Sequence, residues 1–221
     1  MNMLIEKKKT EIKKKNNIDI KLRDGRLQNT DQLLQKNFGL ILNNFDSKKI
    51  ISENNLDAVI LTSMQNVAYY SGFLYCSFGR PYSCIVTEKK NVVVSANIDA
   101  GQPWRRSVHD NITYTDWKRD NYWRAVNHVL ADARAVGIEG DHLTLAAHQK
   151  LETLSTNIRV EDIGNEIMVL RMIKSAEEIE LVKGSARIAD IGGEAVREAI
   201  RTGTREIDIA MAGRDAMELA I

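Results

Sequence analysis

The chain has 221 residues, is 43% hydrophobic and carries a formal net charge of +1. That balance suits a globular protein with a sizeable core and excludes the overall basicity of a nucleic-acid binder. No apolar run approaches the ~20 residues of a membrane helix and no export signal opens the chain, so the expected compartment is the cytoplasm, with neither membrane nor nucleic acid as partner.

Residues 1–30 begin with the triplets Lys7–Lys9 and Lys13–Lys15 and read as a lysine-rich, disordered tail. Thr30 offers an N-cap, and Leu33, Leu34, Phe38, Ile41, Leu42 and Phe45 follow at helical spacing. This predicts one long amphipathic helix from Asp31 to about Asn54. The period then changes. Asp57 to Thr62 is a short continuous apolar run, as in a strand buried on both faces. Ser63 to Ser71 reads as a short helix. Ser83–Thr87 and Val92–Ala96 read as a strand pair joined by a charged turn. Ile112–Thr115 is a further strand, Asn121–Arg134 a helix, Val136–Glu139 a strand, Leu143–Leu154 a helix and Arg159–Asp162 a last strand. The alternation predicts an α/β domain over residues 31–172, with a mixed sheet flanked by helices.

Ile163–Met172 reads as a connecting helix. Ser175 and Glu178 stand at capping-box spacing, and the pattern is then helical to Arg201, broken by Gly192-Gly193. Another helix begins at Glu206 and the sequence stops at Ile221 in mid-helix. Residues 173–221 therefore read as the severed start of a second domain.

Between the first two strands lies Tyr69 to Tyr82, in which six of fourteen residues are aromatic. It carries one cation, Arg80, between Gly79 and Pro81. Gly79 permits unusual backbone angles, and Pro81 pushes Arg80 towards an extended conformation. A stiff turn presenting a planar guanidinium suits a carboxylate, and neighbouring rings suit a cationic or flat group. The alternative is that the rings are core and Arg80 is a surface ion-pair partner. Gln102 to Arg106 is a second basic and aromatic spot, and Trp117 to Trp123 a third, with subunit contact as a competing explanation.

No reaction is legible from spacing alone. His109, His128, His142 and His148 show no metal-ligand spacing, and neither a nucleophile elbow, a phosphate loop nor a dinucleotide fingerprint is present. Cys76 and Cys84 read as free thiols, Cys76 lacking a base nearby in sequence. The acidic residues of Asp110 to Asp120 read as a solvated loop. No catalytic residue, metal or cofactor is expected in this chain.

Tyr69 to Tyr82, Ser95–Asp99, Gln102–Arg106 and Tyr114–Trp117 resemble the creatinase (creatine amidinohydrolase) family. Arg171–Glu178 and Ala186–Gly193 are similar to the entry of that family into its pita-bread catalytic domain. The resemblance runs from about Leu56 to Ile221. It implies an N-terminal α/β domain followed by the first helices of a truncated pita-bread domain. The implied enzyme is a homodimer that hydrolyses creatine to sarcosine and urea without a metal, the N-terminal domain of one subunit helping to close the other's active site. Phe78 and Arg80 match the substrate-contacting positions, Arg80 holding the carboxylate. The family's catalytic histidine and acidic partners fall beyond Ile221, so the chain is expected to fold but not to turn over. Two alternatives are a non-catalytic carboxylate-binding or interaction module, and part of another pita-bread hydrolase such as an X-Pro dipeptidase or ectoine hydrolase.

Overall fold

The computed structural model describes residues 20–23, 44–75, 79–101, 107, 110–118, 120–154 and 158–221. They fall into two compact units, Met1–Met172 and Ile173–Ile221. The first is built on a mixed sheet of seven strands among the described residues: β1 (Ile20–Arg23), β2 (Ala58–Leu61), β3 (Ser83–Thr87), β4 (Asn91–Ala96), β5 (Asp110–Tyr114), β6 (Ala135–Ile138) and β7 (Arg159–Asp162). Their spatial order is β1-β5-β4-β3-β2-β6-β7.

Strand β2 pairs parallel with β6 and antiparallel with β3, β3 antiparallel with β4, and β4 and β6 parallel with β5 and β7. Strands β2, β4, β5, β6 and β7 therefore point the same way, and their carboxyl ends share one edge of the sheet. The chain also enters β3 from that edge. In open α/β sheets, ligands bind outside such carboxyl ends.

The apolar runs account for the core. Ala58, Val59, Ile60 and Leu61 are buried, as are Ile85, Val86, Val92, Val93, Val94, Val136 and Ile138. Helix α1 (Asn44–Glu53) adds Ile50 and Ile51, α2 (Met64–Ser71) Val67 and Tyr70, α3 (Asn121–Val129) Ala125 and Val126, α4 (Leu145–Leu154) Leu151, and α5 (Gly164–Met172) Ile167. Helix α1 packs on β3 and against α5, α2 on β3 and β4, and α3 on β4 and β5 and against α4.

Helix α1 is the described end of the helix expected from Asp31; the earlier part lies outside the described residues. It stops where the Asn pair suggested, with Asn55 at φ 49°, a left-handed conformation that asparagine tolerates. Residues 20–23 correct the expectation of a tail over 1–30. They form an edge strand whose four residues pair with Tyr114 to Asn111. The alternation of Ile20 and Leu22 was obscured by the lysines before it. Helix α3 ends at Val129 rather than Arg134, because Leu130 leaves helical geometry. Helix α4 starts at Leu145, two residues later than expected.

In the second unit, Ser175 accepts from the Glu178 N–H and Glu178 from the Ser175 N–H, completing the capping box of α6 (Ala176–Ala199). Gly192-Gly193 does not break this helix. Helix α7 (Glu206–Leu219) crosses it there: a Cβ on Gly192 would stand 2.6 Å from Met217 Cγ, and one on Gly213 2.6 Å from Val196 Cγ2. The missing side chains bring the helices together, so these glycines serve close packing instead of a turn.

The first unit's main polar anchor is Glu139, 2% exposed and immediately beyond β6. Its Oε2 accepts from the backbone N–H groups of Thr62 and of Ser63, the latter at 2.8 Å. Oε1 accepts from Ser63 Oγ at 2.5 Å and from the Asn66 amide. Asn66 in turn accepts from Arg171 Nη1 at 2.9 Å. A carboxylate at the start of α2 also meets the positive end of that helix. Because all four interactions need acceptors, Glu139→Gln must turn an amide N–H₂ towards buried donors. The expected loss is about 3 kcal/mol, or roughly 6–12 °C in the first unit's melting temperature. A shift under a degree in thermal unfolding would show that Glu139 is not such an anchor.

Candidate functional site

Gly79, Arg80 and Pro81 lead into β3 at the carboxyl edge of the sheet. Gly79 sits at φ 76°, with nothing within 4 Å of the place a Cβ would take, so the turn requires glycine for its backbone and not for space. Two groups from the end of β5 hold it, reaching past the intervening β4. Tyr114 Oη donates to the Pro81 carbonyl at 3.0 Å. Arg80 Nε donates to Asp116 Oδ2 at 2.6 Å. Asn121 fixes the base of that end, its Nδ2 donating to the Thr115 carbonyl at 2.8 Å.

These residues line a cleft of about 460 Å³, together with Lys118, Asp120, Tyr122 and Trp123. The Arg80 and Asp116 side chains are 38% and 49% exposed, so the pair is open to a ligand and adds little stability. The Asp116 carboxylate raises the Arg80 pKa further, keeping the guanidinium charged. Asp116 engages only Nε; the two Nη nitrogens have no partner among the described residues. They can still bind one carboxylate end-on with two parallel hydrogen bonds. Asp120 faces Lys150 Nζ at 3.2 Å and stands at φ 64°, a conformation seldom taken by non-glycine residues.

Most rings of the aromatic stretch belong to the core. Tyr70, Phe73, Tyr75 and Tyr82 are buried. Tyr75 and Tyr82 stack with centroids 4.4 Å apart, Tyr75 Oη donates to the Thr62 carbonyl at 2.8 Å, and Tyr82 Oη donates to Asp99. Burial raises the pKa of both hydroxyls, and that of Tyr114. The rings thus support the turn from beneath rather than wall a ligand. Phe78, Cys76, His109 and the Gln102–Arg106 spot lie outside the described residues.

In the third spot, Tyr122 is buried against Tyr114 and Trp123, with centroids 5.5 and 4.9 Å away, while Trp117 is 85% exposed. Asp116, expected in a solvated loop, is the partner of Arg80. Nothing in spacing could find it, because the two stand 36 residues apart. His142 Nδ1 lies 2.9 Å from Thr62 Oγ1. Among the described residues no group of His, Cys, Asp and Glu is arranged to hold a metal, and no helix is long and apolar enough to cross a membrane.

Cys84 is free and buried in β3, and burial pushes its thiol up to about 12. Native protein at pH 8 should leave Cys84 unalkylated by iodoacetamide over hours and label it promptly in denaturant, as read by peptide mass spectrometry. Rapid native labelling would contradict a sealed core at β3.

Comparison with known proteins gives consistent results. A family model described as Creatinase/Prolidase N-terminal domain matches residues 47–173. A protein named Creatinase from Bacillus sp. (strain B-0618) is 49% identical over 174 residues, covering 77% of this chain and 42% of that one. A Xaa-Pro dipeptidase from Lactobacillus helveticus is 25% identical over 169 residues, covering 72% and 45%. The chain thus spans less than half the length of these relatives. Among solved structures, a prolidase from Pyrococcus furiosus superposes with a TM-score of 0.61 at 25% identity, covering 79% of this chain and 52% of that one. An X-Pro aminopeptidase from Thermotoga maritima, at 18% identity and a TM-score of 0.67 over 78% and 48%, shares the fold.

Proposed function

Because this chain belongs to the creatinase/prolidase N-terminal domain family, we propose that it is the substrate-recognition part of a creatinase-like amidinohydrolase. In this reading the enzyme hydrolyses creatine to sarcosine and urea, and Arg80 holds the creatine carboxylate. The observation that carries the reading is the geometry of Arg80. It stands on a turn held by two groups from the end of β5 at the carboxyl edge of the sheet, with Nε occupied by Asp116 and both Nη nitrogens without a partner among the described residues. The 49% identity to a creatinase favours an amidine substrate over the peptides of the more distant dipeptidases.

The enzyme works as a homodimer, one subunit's Arg80 turn closing over the other's catalytic domain. Phe78 adds a ring contact beside Arg80. Acid–base catalysis requires a proton carrier within hydrogen-bond reach of the scissile C–N bond, and in this reading that carrier comes from residues outside this sequence. The chain contributes binding and orientation, which lower the barrier by holding the substrate in a reactive pose.

The test uses a chimera in which this chain replaces the matching part of the Bacillus creatinase. Arg80→Lys keeps the charge but loses the planar fork, and should lower kcat/KM for creatine roughly ten- to 150-fold with an unchanged melting temperature. Phe78→Leu should do less. Parental kinetics in the Arg80→Lys chimera would reduce Arg80 to a surface cation, and a collapsed melting temperature would make it structural.

A further inference from the structure

The described lining of the cleft places carboxylates beside the cation that would hold a carboxylate. Among the described residues its lining contains two cations, Arg80 and Lys118, and two anions, Asp116 and Asp120, with Lys150 behind Asp120 at 3.2 Å. Asp116 bears directly on the ligand, because it sits on the guanidinium that would bind the carboxylate. From this we propose that Asp116 is a specificity-determining residue that restricts the Arg80 fork to zwitterionic acids, ligands carrying a cationic group as well as a carboxylate. The inference rests on the reading of Arg80 as a carboxylate clamp and adds which carboxylates the clamp accepts.

The physics follows from the pairing. Asp116 occupies the Nε edge of Arg80, so an incoming carboxylate must approach across the two Nη nitrogens. There it lies about one guanidinium width, some 6–7 Å, from the Asp116 carboxylate. A plain monocarboxylate meets a repulsion that offsets much of the attraction of Arg80, and a dianion meets twice as much. A ligand whose second group is cationic gains from Asp116 what its carboxylate loses. At the intermediate dielectric of a half-exposed cleft, one unit charge at this separation corresponds to about three- to tenfold in affinity. Asp116 also holds the fork in place for every carboxylate, and that effect cancels in a ratio of affinities. The selectivity does not cancel.

The 221-residue chain itself is titrated with creatine and, separately, with propionate, which has the carboxylate without the cation. Binding is followed by NMR through the indole N–H signals of Trp123, which lines the cleft, and of Trp117, which follows Asp116 in the chain. Wild type should bind creatine several-fold more tightly than propionate. Asp116→Asn keeps an acceptor for Arg80 Nε and removes the charge, so the ratio of the two dissociation constants should fall by about three- to tenfold. Arg80→Lys should weaken both ligands. If Arg80→Lys weakens both while Asp116→Asn leaves the ratio at its wild-type value, the clamp stands and the role of Asp116 is overturned. If wild type prefers propionate and Arg80→Lys weakens both, the clamp stands and the selectivity is overturned. If Arg80→Lys binds both like wild type, or wild type binds neither ligand, the clamp and the selectivity fall together.

Discussion

One buried carboxylate sets the geometry of the carboxyl edge of the sheet. Glu139 gathers the end of β2, the first turn of α2 and the end of β6 around two oxygens, and Asn66 extends the network to Arg171 on α5. An unpaired carboxylate in this position would be prohibitive, so these donors must come together for the domain to fold. The same junction fixes the Thr62 carbonyl that receives Tyr75, and Tyr75 stacks on Tyr82. The chain is thereby anchored at both ends of the aromatic stretch, before it and at the threshold of β3. Arg80 stands on a turn whose foundations are core.

The side chains around this turn divide into supports and exposed charges. Tyr75, Tyr82 and Tyr114 give the turn its support, each spending its hydroxyl on a protein acceptor. Arg80 and Asp116 remain half exposed and open to solvent. A rigid base under a short charged turn reduces the conformational freedom lost when a ligand binds.

How much of this was legible depended on the range of each interaction. Runs such as Val59-Ile60-Leu61 and Val92-Val93-Val94 announce buried strands because their signal is local, and Ser175 with Glu178 announces a helix start for the same reason. The strand Ile20–Arg23 was hidden by neighbouring lysines, and its pairing partner lies in β5. Gly192-Gly193 carries the same letters whether it breaks a helix or admits another; the deciding contact is Met217, on a different helix. Arg80 could be singled out from Gly79 and Pro81 beside it. Glu139 and Asp116 could not, because their partners lie 77 and 36 residues away. The aromatic cluster is visible in the sequence, and the burial of Tyr70, Phe73, Tyr75 and Tyr82 decides that most of its rings are core.

The central claim is that Arg80 receives a carboxylate end-on while Asp116 keeps its Nε. A crystal structure of the chain soaked with creatine tests this most directly. The account predicts the creatine carboxylate within hydrogen-bond distance of both Arg80 Nη nitrogens, with the Arg80–Asp116 pair intact and the guanidino group turned towards the Asp116 side of the cleft. Creatine bound elsewhere, or seated with its guanidino end at Arg80, would contradict it.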